Sequence, residues 1–144
     1  MTYAVFTVEG ILLDTSVYGE SGKILKLLTR DGLVVVYATG VREVTSKMRG
    51  SLDIMQLVEV EYVEGKEVNR LTGIFPKEKF FQSMSLYQRR VLSNVINFTM
   101  RAVIGITRND RLFESFLEMF RILNIEAEKN EPKEILQKIE IIWL

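Results

Sequence analysis

The sequence contains no histidine and no cysteine, and only two of its 144 residues are proline. The chain therefore supplies no thiolate or imidazole ligand for zinc, no histidine for haem, no cysteine nucleophile and no Ser-His-Asp triad. The absence of histidine and cysteine does not exclude carboxylate metal sites or chemistry by Asp, Glu or Lys. The lack of cysteine also excludes disulfides and fits the reducing cytosol, so we expect a cytoplasmic protein.

Excess charge of either sign is also absent, because 19 Lys and Arg residues balance 19 Asp and Glu residues. A nucleic-acid partner would therefore have to be held by a local basic patch. No apolar run approaches the roughly 18 residues that a membrane-spanning helix requires, and we expect no membrane partner. A hydrophobic content of 47% and a charged content of 26% are typical of one globular domain, or of a small domain with a helical appendage.

Five short segments rich in β-branched and aromatic residues predict strands in the first half of the chain. Asp31-Gly32 between two of them is a hairpin signal. Residues 15–22 are predicted to form a loop, and Pro76 is predicted to end the last strand. Five short strands with glycine-bearing turns favour a closed barrel of the OB-fold type, since closure removes exposed edges. The predicted strands are residues 5–13, 23–29, 33–38, 53–63 and 68–75.

After Pro76 the apolar period changes from two to 3.6, which predicts helices. We expect one helix over residues 85–104, a second over residues 110–125 with Asp110 as its N-cap, and a third from residue 130 to the C-terminus. The predicted fold is α+β, with a five-stranded OB-fold barrel in residues 1–77 and a helical domain in residues 78–144.

The segment from Gly19 to Lys23, Gly-Glu-Ser-Gly-Lys, is similar to the end of a phosphate-binding P-loop. A complete P-loop needs a glycine where this chain has Val17, and a Ser or Thr where it has Ile24. It also needs a helix directly after the lysine, whereas the pattern here is strand, loop, strand. We therefore do not expect nucleotide hydrolysis, and interpret the segment as a loop between two strands.

A second polar loop carries Arg42, Lys47 and Arg49, which with Lys23 would form a basic patch at the barrel mouth. OB-folds bind nucleic-acid strands there, by phosphate contacts and base stacking. Solvated charges that only aid solubility are the alternative. Tyr18 is the candidate for stacking, although it could equally pack beneath its loop to fix the loop's shape.

Three further groups of residues have two interpretations each. Tyr62 is expected in the core, whereas Tyr37 is ambiguous. Glu59 and Glu61 share one strand face and are expected to be its solvated side. The segment of residues 81–125 carries six arginines beside phenylalanines, which could capture an acidic peptide tail or simply form a solvated face. The helical phenylalanines themselves are expected in the core.

Several elements, taken in order and spacing, resemble the N-terminal domain of the RecO family of DNA repair and recombination-mediator proteins. No element is specific alone, but their order is. They are Gly10-Ile11-Leu12-Leu13, Tyr18-Gly19-Glu20 with Lys23, Leu28-Thr29 with Gly32, and the run Gly40, Arg42, Ser46, Lys47, Gly50 and Leu52.

The resemblance implies an OB-fold followed by helices, with no catalytic turnover and no cofactor. Such proteins bind single- and double-stranded DNA, anneal complementary strands, and act with RecR and single-strand-binding protein to help load RecA. By position, Lys23, Arg42, Lys47 and Arg49 would contact DNA phosphates.

The chain departs from the family pattern in ways that weaken the basic patch. Thr39 and Glu43 occupy positions where members often carry basic residues, and the proline that follows Leu52 in members is absent. The helical domain is expected to be shortened, without the four-cysteine zinc site of some members. An OB-fold protein-interaction module that has lost effective DNA contact is the alternative function, and an RNA-binding OB module is a third.

Overall fold

A computed structural model describes residues 4–39, 54–80, 86–105 and 107–128. In these ranges the chain forms five strands and then two helices, which agrees with the predicted α+β class. The elements are β1 (Val5–Tyr18), β2 (Gly22–Thr29), β3 (Gly32–Ala38), β4 (Gln56–Glu64), β5 (Asn69–Lys79), α1 (Leu86–Ala102) and α2 (Asp110–Glu128).

The strands close into a barrel in the order β1-β2-β3-β5-β4, in which β4 pairs with β1. Neighbouring strands are antiparallel except β3 and β5, which are parallel and joined through only two pairs, Val36 with Asn69 and Tyr37 with Arg70. This five-stranded Greek-key closure is the OB-fold, as predicted. The long first strand pairs with β4 along its first half and with β2 along its second half.

Two apolar cores result, one inside the barrel and one between the barrel wall and the helices. Strand alternation explains the division, because successive side chains of each strand point to opposite faces. Tyr62 belongs to the barrel interior, as expected, and burial raises its pKa. The inner core contains Leu12, Leu25, Leu27, Val36, Val58, Val60, Tyr62 and Ile74. The outer core joins Ile11, Leu13, Leu28, Leu57 and Phe80 to the buried faces of α1 and α2, including Phe113, Phe116 and Phe120.

The loop predicted over residues 15–22 is confirmed only at residues 19–21, which form a turn. A register shift between Leu12 and Asp14 lets β1 continue to Tyr18, so that the turn to β2 contains only residues 19–21. The predicted end of the fifth strand at Pro76 is wrong, since β5 runs to Lys79. Pro76 lies beside a second register shift, and a proline is tolerated at such an irregularity because the ladder is already interrupted there.

The helices begin close to their predicted positions, but the cap of α2 differs. The backbone N–H of Leu112 donates to the side-chain oxygen of Asn109 at 3.0 Å, so Asn109 is the N-cap and Asp110 is the first helical residue. The predicted third helix lies outside the described residues. The division of the chain at residue 77 stays a prediction.

Candidate nucleic-acid interface

The turn between β1 and β2 is shaped by two glycines. Gly19 has a φ of 63°, a left-handed conformation that glycine adopts without steric cost. A Cβ on Gly22 would lie 2.6 Å from the Tyr18 carbonyl oxygen and 3.5 Å from the Tyr18 ring. The segment that is similar to a P-loop is therefore a tight strand-to-strand turn, and its second glycine makes room for Tyr18.

Tyr18 and Tyr37 form an aromatic pair on the outer face of the barrel. Their ring centroids are 5.2 Å apart and their planes meet at 85°, an edge-to-face arrangement. The ring of Tyr18 remains accessible because the residue is 50% exposed. Tyr18 thus packs against a neighbour and is available to a ligand, and Tyr37, whose role the sequence leaves ambiguous, is its partner.

Arg70 lies beside Tyr37 because the two residues are directly paired in the parallel ladder of β3 and β5. Arg70 is exposed, and within the part of the chain that the structure describes it forms no ion pair. We call Tyr18, Tyr37 and Arg70 the aromatic strip. Alternation along β3 predicts that Tyr37 points to the face opposite that of the buried Val36. No local sequence pattern predicts that Tyr37 pairs with Arg70.

Lys23 does not share the face of the aromatic strip. It follows the alternation of Leu25 and Leu27, whose side chains fill the barrel, and it is half-buried at the barrel's end. Its strand partner is Ala38, after which the chain enters the segment with the predicted basic loop. Arg42, Lys47 and Arg49 all lie outside the described residues.

A cleft of about 500 Å³ opens beside Tyr37, between β3 and the turn from β4 to β5. Asn69 bridges the two elements, since its side-chain amide donates to the carbonyl oxygen of Val35 at 3.2 Å. Lys66 and Glu67 provide charges of both signs at the cleft, so its walls have no net charge preference.

Around Lys77, the outer surface of β1, β4 and β5 has the opposite character, because this cation is engaged by carboxylates. Lys77 donates to Glu9 at 2.8 Å and lies 3.5 Å from Glu59, and the hydrogen bond to Glu9 raises the pKa of the Lys77 ammonium. Glu59 and Glu61 both lie on this outer face, as predicted from alternation. Around Lys77, this surface therefore offers carboxylates rather than free cations to a ligand.

Two further arginines extend the ion pairs to the helices. Arg30 bonds to Glu114 and lies 4.6 Å from the centroid of the Phe113 ring, and the Glu114 hydrogen bond raises the pKa of its guanidinium. Arg121 donates to Oε2 of Glu78 from its Nε and one terminal nitrogen, at 3.1 and 3.0 Å, and from Nε to Oε1 at 3.3 Å. We call this network the ion-pair belt; its members are Glu9, Arg30, Glu59, Lys77, Glu78, Glu114 and Arg121.

The belt changes the interpretation of the helical arginines. Arg121 pairs with the barrel, and so does Arg108, which lies 3.5 Å from Asp31. The phenylalanines of α2 are buried, as expected for core residues: Phe113, Phe116 and Phe120. Two of the six arginines of that predicted surface, Arg108 and Arg121, therefore lie at the junction between barrel and helices.

Two properties of the described residues bear on other classes of site. No helix in these ranges is long and apolar enough to cross a membrane. The same ranges contain no group of three or more acidic side chains placed to hold a metal ion.

The closed five-stranded barrel, with helices packed on its wall and an exposed aromatic pair beside a cation, defines an OB-fold protein with a flanking helical segment. The family model for the N-terminal domain of recombination protein O matches residues 1–80, more than half of the chain. The chain belongs to the RecO family.

Relatives that carry the name DNA repair protein RecO support the assignment. One from Dehalococcoides mccartyi is 38% identical over 69 residues, covering 47% of this chain and 27% of the relative. One from a Nocardioides species is 27% identical over 130 residues, covering 89% of this chain and 53% of the relative. The chain thus matches between about a quarter and a half of these relatives' lengths.

Proposed function

We propose that the protein is a non-enzymatic, cytoplasmic DNA-binding protein that anneals complementary strands and acts as a mediator in recombinational DNA repair. Its partners would be single- and double-stranded DNA, RecR, RecA and single-strand-binding protein. The observation that carries the proposal is the match of residues 1–80 to the RecO family, whose members compared above are named DNA repair proteins.

In this proposal, Lys23, Arg42, Lys47 and Arg49 neutralise backbone phosphates, and Tyr18 stacks on a base. Four phosphate contacts to a single strand give a slope of about −3 for log affinity against log salt, or a loss of roughly 50-fold between 50 and 200 mM salt. Contacts of this type carry little sequence preference, which suits a protein that must act on any strand.

The test measures the affinity of the intact chain for a fluorescent single-stranded oligonucleotide at several salt concentrations. The double variant Arg42→Ala with Arg49→Ala should bind more weakly, with a salt slope about 1.4 smaller in magnitude, because two counterion-releasing contacts are lost. Absence of binding at low salt, or an unchanged slope in the double variant, would refute DNA binding by these residues. Annealing is checked by the pairing rate of two complementary labelled strands.

The alternative, a protein-interaction module, is favoured by one observation. The outer face with Glu9, Glu59 and Glu61 repels phosphates, and the exposed Phe75 lies on that same face. Such a module would capture a protein partner without DNA and fail to bind oligonucleotides at low salt. RNA binding is the other possibility, and competition between DNA and RNA oligonucleotides of one sequence separates it from DNA binding.

A further inference from the structure

We infer that the first half of β3 is a docking site for a short, extended and uncharged peptide segment of a partner protein, which adds to the barrel as one more strand. The site is the backbone edge of Leu33 and Val35, and its opposite wall is the turn of residues 65–69. The inference goes beyond the proposed function, because it concerns a protein partner and needs no contact with DNA.

The pairing of β3 with β2 determines which backbone groups of β3 point into the cleft. The two strands are joined by a two-residue turn, which the pair of Thr29 and Gly32 closes. The pair that closes such a hairpin is hydrogen-bonded, and hydrogen-bonded pairs then alternate with non-bonded ones. Val34 therefore bonds to β2, whereas Leu33 and Val35 turn their N–H and C=O groups to the other edge of the strand.

This edge is free of any strand, because β5 begins only at Asn69, opposite Val36. The cleft is lined by residues 33–35, three consecutive positions of β3. Because the side chains of consecutive strand residues point to opposite faces, a cleft that touches all three opens on the backbone edge itself.

Three backbone groups of the edge have no hydrogen bond within the part of the chain that the structure describes. They are the N–H and C=O groups of Leu33 and the N–H group of Val35. The carbonyl oxygen of Val35 accepts a hydrogen bond from the side-chain amide of Asn69 at 3.2 Å, which confirms that this residue faces the cleft. The edge thus offers two donors and one acceptor to a ligand.

These groups specify a polypeptide as the ligand. A second extended backbone presents complementary donors and acceptors at the same repeat, about 6.8 Å for every second residue. The sugar-phosphate backbone of DNA has acceptors but no donor for the carbonyl oxygen of Leu33. Lys66 and Glu67 at the cleft cancel each other in charge, which favours an uncharged segment.

The side chains around the edge favour β-branched residues in the peptide. Val34 packs against the inner core and Leu33 against the outer core, and Tyr37 and Tyr62 also line the cleft. A docked strand would place its alternate side chains beside these apolar groups, where β-branched residues pack well.

A second copy of the chain does not fit as the occupant. Its own β3 edge lies behind its own turn of residues 65–69. Two such turns would collide before the edges reached the spacing of about 4.8 Å that neighbouring strands need. An isolated extended segment has no such obstacle.

The first experiment adds the blocked peptide acetyl-Thr-Val-Thr-Val-Thr-amide, at millimolar concentration, to the intact chain labelled with nitrogen-15. The amide resonances of Leu33 and Val35 should shift and their hydrogen exchange should slow, whereas the amide of Val34 should be protected from the start. The matched control peptide has proline at its central position. It lacks one backbone donor and should bind at least about fivefold more weakly. Unshifted amides of Leu33 and Val35, or equal affinities for the two peptides, would overturn the inference.

The second experiment removes a donor from the protein. Val35→Pro deletes the N–H group that points into the cleft, and proline is tolerated where an edge N–H has no ladder partner. The variant should stay folded by circular dichroism and lose at least about fivefold in peptide affinity. Val35→Thr keeps the N–H group and the branched shape and should bind like the wild type. Unfolding of Val35→Pro, or unchanged peptide affinity, would show that this N–H group is not a free donor for a peptide.

A single-stranded DNA oligonucleotide of mixed sequence separates the two kinds of ligand. A strand that shifted the amides of Leu33 and Val35 and displaced the peptide would show that the cleft takes nucleic acid, and would overturn the inference. DNA binding without displacement of the peptide supports it. A chain that bound the peptide and no DNA would refute the proposed function and leave the peptide site standing.

Discussion

Two regions of the barrel's outer surface differ in what happens to their cations. In the ion-pair belt, Lys77 lies between Glu9 and Glu59, and Arg121 meets Glu78. In the aromatic strip, Arg70 meets no carboxylate of the described residues and is paired with Tyr37, which packs against Tyr18. In a chain without net charge, the capacity to bind an anion depends on which cations are left unpaired, and not on how many there are.

The same contrast separates stabilising from binding residues. The belt connects the barrel to the helices, and one of its members, Arg30, lies directly over the buried ring of Phe113. None of the contacts given above joins the strip to a helix, and the ring of Tyr18 packs against Tyr37 and lies close to Gly22. We therefore expect substitutions at the belt to change stability, and substitutions at the strip to change affinity for a strand.

Phe113→Ala should have the largest effect of the changes considered. Phe113 is fully buried in the outer core beneath Arg30, and replacing such a ring by alanine typically costs about 3–5 kcal/mol. Urea denaturation followed by circular dichroism measures the free energy of unfolding. The folded variant should still bind single-stranded DNA, because the residues of the strip do not belong to the outer core that contains Phe113.

Phe98→Ala is the matched control, since Phe98 on α1 is 37% exposed and should lose far less. A Phe113 variant that lost under 1 kcal/mol, or that lost DNA affinity while remaining folded, would remove the distinction between the two faces.

The barrel could be predicted from the sequence wherever a local pattern determines the backbone. Asp31-Gly32 predicts the hairpin because its glycine must adopt a left-handed φ, here 93°. The extension of β1 could not be predicted, because it depends on a bulge that shifts the register after Leu12, while the Ser, Thr and Gly residues around it favour a loop. The path of β5 past Pro76 depends on a second such shift.

The residues of the candidate site also differ in whether a local sequence pattern predicts them. The loop motif identifies Tyr18 and Lys23 as candidate site residues, although alternation places their side chains on different faces of the sheet. The neighbours Tyr37 and Arg70 are 33 positions apart in sequence and meet only through the parallel pairing of β3 with β5. Such a pairing joins residues across the closed barrel, and no local composition encodes it.

Gly22→Ala should have the second largest effect, this time at the strip. The new Cβ would meet the Tyr18 carbonyl oxygen at 2.6 Å, so the turn must shift and carry Tyr18 away from Tyr37. Overpacking of this kind costs about 1–3 kcal/mol. Single-strand affinity should fall together with the free energy of unfolding, as measured by oligonucleotide titration and urea denaturation.

Gly65→Ala provides a control of equal severity in the turn between β4 and β5, where the new Cβ would lie 2.6 Å from the Val68 carbonyl oxygen. It should destabilise the fold similarly and preserve the pair of Tyr18 and Tyr37. Equal loss of single-strand affinity in both variants would mean that binding follows stability and not the geometry of the strip.

Arg30→Ala should have the smallest effect of the three, because its partners are only partly desolvated. The Arg30 side chain is 34% exposed, so its pair with Glu114 contributes up to about 1 kcal/mol, and its position over Phe113 adds about 0.5–1 kcal/mol. We expect a total loss of about 1.5 kcal/mol in urea denaturation, with unchanged single-strand affinity. Arg30→Lys keeps the charge and loses the planar stacking group, so it should lose roughly half of that amount of unfolding free energy.

Arg108→Ala is the control for Arg30→Ala, because Arg108 also pairs a helix-side residue with the barrel but is more exposed. It should lower the free energy of unfolding by under about 0.5 kcal/mol. If Arg108→Ala cost as much as Arg30→Ala, surface charge and not the contact with Phe113 would connect the barrel to its helices.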